Sequence, residues 1–169
     1  MKKQWSDIAG LPVVTAVEEP PLGSLRGLFM NPENGQVIGF LVGFTRVLTP
    51  VDIERYASDY VKVSDPDCLT PLPDILRLRD FGVRRTYFNG KKVLSKSGRS
   101  LGHVHDFTLE TSTSAVVSFE TCRSFIWWEW DQRVFSYKEV DEVTDKYIRL
   151  NVEPEQKVKE RAPVPATAA

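Results

Sequence analysis

"LGSLRGLFMN" (22–31) and "LGHVHDFTLE" (101–110) decide how this chain is read. The second stretch holds both histidines, His103 and His105, two residues apart and followed by Asp106. Residues two apart on a β-strand face the same way, so His-x-His beside a carboxylate has the spacing of a metal chelate. Laid over the first stretch, it becomes half of an internal repeat instead. Leu22-Gly23 falls on Leu101-Gly102, Leu25 on Val104, Leu28 on Phe107 and Met30 on Leu109, an offset of 79 residues.

The repeat extends outward from there. Val37, Ile38 and Phe40 fall on Val116, Val117 and Phe119 at the same offset. At an offset of 87, Val47-Leu48 falls on Val134-Phe135, Ile53 on Val140, Tyr60-Val61 on Tyr147-Ile148 and Val63 on Leu150. The second copy therefore carries eight extra residues, around "CRSFIWWEWDQ" (122–132). Each copy reads as short apolar strands separated by turn signals. "NPENGQ" (31–36) places Asn-Gly between two apolar runs, a hairpin signal, while "ETSTSA" (110–115) is its glycine-free counterpart. "GQVIGFLVGF" (35–44) reads as a strand with Ile38, Phe40, Val42 and Phe44 on one face. "TPVDI" (49–53) predicts a short helical turn, with Thr49 as N-cap, Pro50 in the first helical position and Asp52 reaching back. The step of three from Val104 to Phe107 breaks strict alternation and predicts a β-bulge.

The fold class expected is all-β: two tandem small antiparallel barrels with short helical turns, since closure removes exposed edges. The boundaries read as an N-terminal segment (1–10), repeat 1 (11–67), a linker (68–85), repeat 2 (86–153) and a charged, Pro/Ala-rich, disordered tail (154–169).

These motifs resemble a known family. "LGSLRGLFMNPENGQVIGFLV", "LTPVDI" and "YVKVSDPDCL" look like one copy of the PRC-barrel, and "VLSKSGRSLGHVHDFTLE", "VFSYKEVDEV" and "KYIRLNV" like a second. The PRC-barrel is the small β-barrel of the photosynthetic reaction centre H subunit and of the ribosome maturation factor RimM. Gly27 stands in the first copy where the second has Asp106, a departure from the pattern. The resemblance implies a non-enzymatic adaptor or scaffold module that binds a protein partner. The alternative it leaves open is an RNA- or ribosome-associated factor.

Composition agrees with an ordinary globular chain, 41% hydrophobic and 27% charged, with no apolar run of spanning length. "MKKQWSDIAG" has the positive start of a signal peptide but no apolar core. Cys68 and Cys122 lack CxxC spacing and suit a reducing compartment, so the expected localisation is cytoplasmic, without membrane insertion.

Three stretches offer candidate sites. His103 and His105 flank the inward Val104 and align with Ser24 and Arg26, which reads as a solvated strand face; no further histidine exists to complete a metal site. In the insertion, Phe125, Trp127 and Glu129 share the face opposite Ile126, Trp128 and Trp130, and aromatics among charges mark an interface, internal or external. The stretch 77–99 holds eight basic residues (Arg77, Arg79, Arg84, Arg85, Lys91, Lys92, Lys96 and Arg99) and one acidic one, against 14 basic and 22 acidic residues elsewhere. Interleaved with Phe81, Tyr87 and Phe88, these cations have the make-up of an RNA contact. A basic connector facing the acidic remainder is the competing reading. No P-loop, GxSxG, GxGxxG or zinc motif occurs, so no catalytic residue, metal, cofactor or small-molecule substrate is expected.

Overall fold

The computed structural model describes residues 1–16, 20–125 and 128–154, and of residues 124, 125 and 128–131 the backbone alone. The expected tail therefore lies outside the described residues except for Pro154. The structure is mostly β, and the repeat seen in the sequence is a repeat in space. Repeat 1 supplies β2 (Pro12–Val14), β3 (Gly23–Met30), β4 (Val37–Val42), β5 (Arg46–Leu48), β6 (Ile53–Tyr56) and β7 (Val61–Val63). Repeat 2 supplies β9 (Lys92–Leu94), β10 (Ser100–Glu110), β11 (Ala115–Phe125), β12 (Trp128–Ser136), β13 (Val140–Val143) and β14 (Tyr147–Leu150). Their sheets run β6-β7-β2-β3-β4-β5 and β13-β14-β9-β10-β11-β12, the same order strand for strand. Two outer strands add to these sheets: β1 (Lys2–Gln4) pairs with β10, and β8 (Leu69–Pro71) extends the edge at β5.

Register repeats as faithfully as order. Leu28 faces Phe40 in one hairpin and Phe107 faces Phe119 in the other. The register shifts fall between Leu25 and Gly27 in repeat 1 and between Val104 and Asp106 in repeat 2, where the three-residue step predicts a bulge. Upstream of the Leu-Gly pair the equivalence moves by one residue: Val13 opposes Gly23 and Val61, while Val93 opposes Gly102 and Ile148, an offset of 80.

Three expectations need correction. The pairing is not wholly antiparallel, because the last strand of each repeat returns parallel to its first (β7 beside β2, β14 beside β9). Instead of two separate barrels, two curled half-barrel sheets share one hydrophobic core. Leu28, Phe40 and Val61 pack in the same cluster as Phe107, Phe119 and Ile148. The face assignment within 35–44 also fails at both ends. A second register shift, between Phe29 and Met30, sends Ile38 to the outer side, away from Phe40 and Val42. Phe44 lies past the end of β4, beyond the turn at Gly43, and is 78% exposed.

The two sheets are joined reciprocally. Val37 N–H donates to the Ser114 carbonyl at 2.8 Å, and its equivalent Val116 donates to the Gly35 carbonyl at 3.0 Å. Equivalent residues exchanging equivalent bonds indicate a pseudo-two-fold relation between the halves. Gly35 (φ +72°) and Ser114 (φ +49°) occupy matching left-handed positions. Glycine is needed at the first because a Cβ there would lie 2.8 Å from the Tyr137 ring. The leading segments also cross over. Trp5, the first residue of the short helix α1 (Trp5–Ile8), stacks on Phe40 of repeat 1 and Phe107 of repeat 2, with centroids 6.4 and 5.3 Å away. Tyr87 bridges to Phe29. Its ring lies where a Cβ on Gly27 would be (2.5 Å), which explains glycine at the place of Asp106. Asp106 instead accepts the N–H and hydroxyl of Ser6, at 3.1 and 2.6 Å.

The helical turns lie where the sequence predicts, but Thr49 makes no side-chain cap on the first; its hydroxyl donates to Asp52 instead. Pro50–Asp52 forms one 3-10 turn behind Thr49, and Tyr137–Glu139 forms its counterpart behind Ser136, with a complete capping box. Among the described residues no helix is long and apolar enough to cross a membrane.

Candidate functional site

The main difference between the repeats lies along one sheet edge and the face beside it. In repeat 1 the linker is a structured cover. β8 lies antiparallel to β5, with Leu48 opposite Leu69, Val47 opposite Thr70 and Arg46 opposite Pro71. A 3-10 turn (Leu72–Asp74) and the helix α2 (Leu76–Phe81) then fold over the outer face of the sheet. Apolar residues three apart make this possible, since Leu72, Ile75 and Leu78 fall on one side of a helical path. They pack with Phe29, Ile38 and Val47 in a second small core, where Val47 and Leu78 are fully buried.

In repeat 2 the corresponding place is open among the described residues. β12 ends the order of its sheet, with β11 as its partner among the described residues. Val134, equivalent to Val47, is 66% exposed, while the adjacent Phe135 is buried in the shared core. Thr108 and Val117 stand where Phe29 and Ile38 do, so the face is less apolar than its counterpart. The eight extra residues lengthen this same hairpin. Arg123 pairs with Trp130, Ser124 with Glu129 and Phe125 with Trp128, carrying β11 and β12 past the point where β4 and β5 stop. Phe125 and Glu129 therefore sit at the far end of an extended hairpin. Trp127 lies outside the described residues, as do the side chains of Phe125 and Glu129, on which the expected aromatic face depends.

No family model matches this chain, and no curated protein matches it significantly in sequence.

The basic stretch is divided by the fold. Arg77 and Arg79 are exposed on α2, and Arg84 is exposed on the short helix α3 (Val83–Thr86). Lys92 and Lys96 are exposed on and just after β9. Arg85 turns inward, its Nε–H donating to the Val143 carbonyl at 2.8 Å. Arg99 donates to the Pro154 carbonyl at 2.8 Å and pairs with Glu153 at 3.0 Å. Lys91 is removed from the expected RNA contact, because it is 7% exposed and its ammonium is fully occupied. It donates to the carbonyls of Arg84, Arg85 and Thr144 at 2.9, 2.7 and 2.9 Å, tying α3 to the β13–β14 turn. Burial pushes its pKa down to about 8, with Asp145 opposing and Arg85 adding to the depression.

What remains of the basic surface borders a cleft of about 530 Å³ between the linker and both repeats. Arg84, Lys92 and Lys146 supply its exposed cations, Asp145 an anion, and Phe44 and Tyr87 its rings. His103 lines it as well, exposed like His105, while Val104 between them points inward. Among the described residues no group of three or more His, Cys, Asp or Glu side chains is placed to hold a metal ion.

Sequence reasoning did not find the contrast between Val47 and Val134. The signal was present, since the aligned valines are equivalent and "LTPLPDIL" carries the apolar spacing of a cover. That spacing does not say which face the segment folds over.

Proposed function

We propose that this chain is a non-enzymatic adaptor built from two PRC-barrel-like repeats, and that it holds a protein partner on the β11–β12 hairpin of repeat 2. One observation carries the reading. The edge and outer face that repeat 1 covers with its own linker are left uncovered by the described residues of repeat 2, on a hairpin lengthened by eight residues. An uncovered edge strand is a template for pairing and is normally blocked unless it is used. The PRC-barrel resemblance supports an adaptor by analogy. The test is a quantitative pull-down from native cells with the full chain, comparing wild type with Phe125→Ala/Trp127→Ala and with Val134→Lys. Retained partner should fall at least about ten-fold in both variants, equivalent to about 1.4 kcal/mol, with unchanged circular dichroism. Equal retention by all three proteins rules this hairpin out.

A second reading rests on the basic cleft, where Tyr87 and Phe44 stand among Arg84, Lys92 and Lys146. It makes the chain an RNA-associated factor. Binding to single-stranded RNA should then weaken with salt, and Arg84→Ala/Lys92→Ala should reduce the log–log slope by roughly 0.7 per phosphate contact removed. No binding at low salt removes this reading.

A further inference from the structure

Resting on the adaptor reading, we infer that the partner segment adds to β12 as an antiparallel strand of the β8 kind. It carries an apolar residue, a polar one and a proline, and continues into a short helix with apolar residues three apart. The chain itself supplies the template. β5 and β12 are equivalent strands, and β5 is completed by Leu69, Thr70 and Pro71, then by Leu72, Ile75 and Leu78. Leu72 N–H donates to the Thr45 carbonyl at 2.9 Å, so alternate residues of this stretch, Thr45 and Val47, face the added strand. At the equivalent place Val134 directs its backbone groups to the open edge and its side chain to the exposed outer face. A proline at the end of the incoming strand costs nothing, because its missing N–H falls at a position that does not bond to the edge.

The chain's own C-terminal segment does not fit as the occupant. At an offset of 87, the anchors Leu69, Leu72, Ile75 and Leu78 correspond to Gln156, Lys159, Ala162 and Pro165. The exit of the chain is also tied elsewhere. Lys96 N–H donates to the Val152 carbonyl at 3.0 Å, Ser97 N–H to Glu153 at 3.0 Å, and Arg99 to the Pro154 carbonyl at 2.8 Å. Asp65 and Pro66, which turn the chain toward β8 in repeat 1, become Val152 and Glu153. An edge left open among the described residues, whose counterpart of the β8 pattern is missing from residues 155–169, fits a strand from another protein.

The experiment uses the full chain and a fluorescent peptide with the sequence of residues 69–82, LTPLPDILRLRDFG. Anisotropy should show saturable binding below about 1 mM. Val134→Pro, which removes an outward N–H, should weaken binding at least ten-fold, and so should Val134→Lys, a milder change for folding. A peptide with aspartate at the Leu69 position should also lose at least ten-fold. No binding to wild type overturns the inference. Equal binding to wild type and to both Val134 variants also overturns it, since the peptide is then replacing β8 in repeat 1. A chain ending at Pro154 that binds ten-fold more tightly assigns the edge to the C-terminal segment. A wild-type dimer in sedimentation that Val134→Pro dissociates assigns it to a second copy. Either result overturns the proposal. The adaptor reading is judged separately by the native pull-down. A partner retained at the hairpin while the peptide fails leaves the adaptor standing and removes only this strand chemistry.

Discussion

Val47 and Val134 occupy the same place in two copies of one fold, yet the first is fully buried and the second is 66% exposed. Strand order, the pairing register around both valines and the bulges of the β3–β4 and β10–β11 hairpins match between the copies, so these strands do not account for the difference. The downstream segments do. After β7 the chain folds back over its own sheet as β8 and α2, while after β14 it leaves by the 95–99 turn. Duplication thus produced two equal edges, and one linker between two repeats directly covers one of them.

The equivalence of the two copies can be broken most forcefully at the Leu-Gly pairs. A Cβ on Gly102, at φ +101°, would lie 2.3 Å from the Cys122 carbonyl oxygen, a backbone atom that cannot step aside. On Gly23 it would meet the Cγ1 of Val42 at 2.6 Å, a side-chain methyl that can shift. Gly102→Ala should therefore cost at least about 3 kcal/mol in denaturant unfolding, and Gly23→Ala clearly less. Equal losses would mean that the two pairs are not held in the same way.

Next in size is the cover itself. Leu78→Ala should cost about 3 kcal/mol and Val47→Ala about 2 kcal/mol, because each leaves a cavity in the small outer core. Val134→Ala should change stability by less than about 0.5 kcal/mol. Similar losses at 47 and 134, measured by urea midpoints, would show that the second edge is covered after all.

A last effect concerns Lys91, which stands where repeat 1 has Leu11. The hydrogen bonds fix that match: Leu11 accepts from Leu25 N–H at 3.0 Å, and Lys91 from Val104 N–H at 2.9 Å. Lys91→Met should cost about 2 kcal/mol near neutrality by orphaning three carbonyls. The pH dependence has a definite sign. Its folded pKa, about 8, lies below the ordinary lysine value, so between about 8 and 10.5 the folded protein holds fewer protons than the unfolded chain. Wild type should gain on Lys91→Met as pH rises through that window. A gap that narrows instead would show that the three carbonyls outweigh burial and hold the ammonium charged.

Much of the fold is legible in local spacing alone. The Leu-Gly alignment, the bulge after Val104, the Asn-Gly hairpin, the positions of the 3-10 turns and the outward histidines can all be read from it. Bulges defeat the reading of Ile38, because one unpaired residue reverses every later face. Lys91 drops out of the expected RNA surface for a different reason. A lysine in a basic run looks exposed until carbonyls 7 and 53 residues away are brought to it.

By itself, the sequence determined that the chain is a duplicated β structure, because alternation, turn residues and caps act between neighbours along the chain. Only the tertiary structure decided that the two sheets share one core, that Lys91 is a buried tie, and that among the described residues one repeat's edge is covered while the other's is open. Those outcomes depend on where segments far apart in sequence come to lie. Burial is set by that placement, and nothing in a residue's immediate neighbours encodes it.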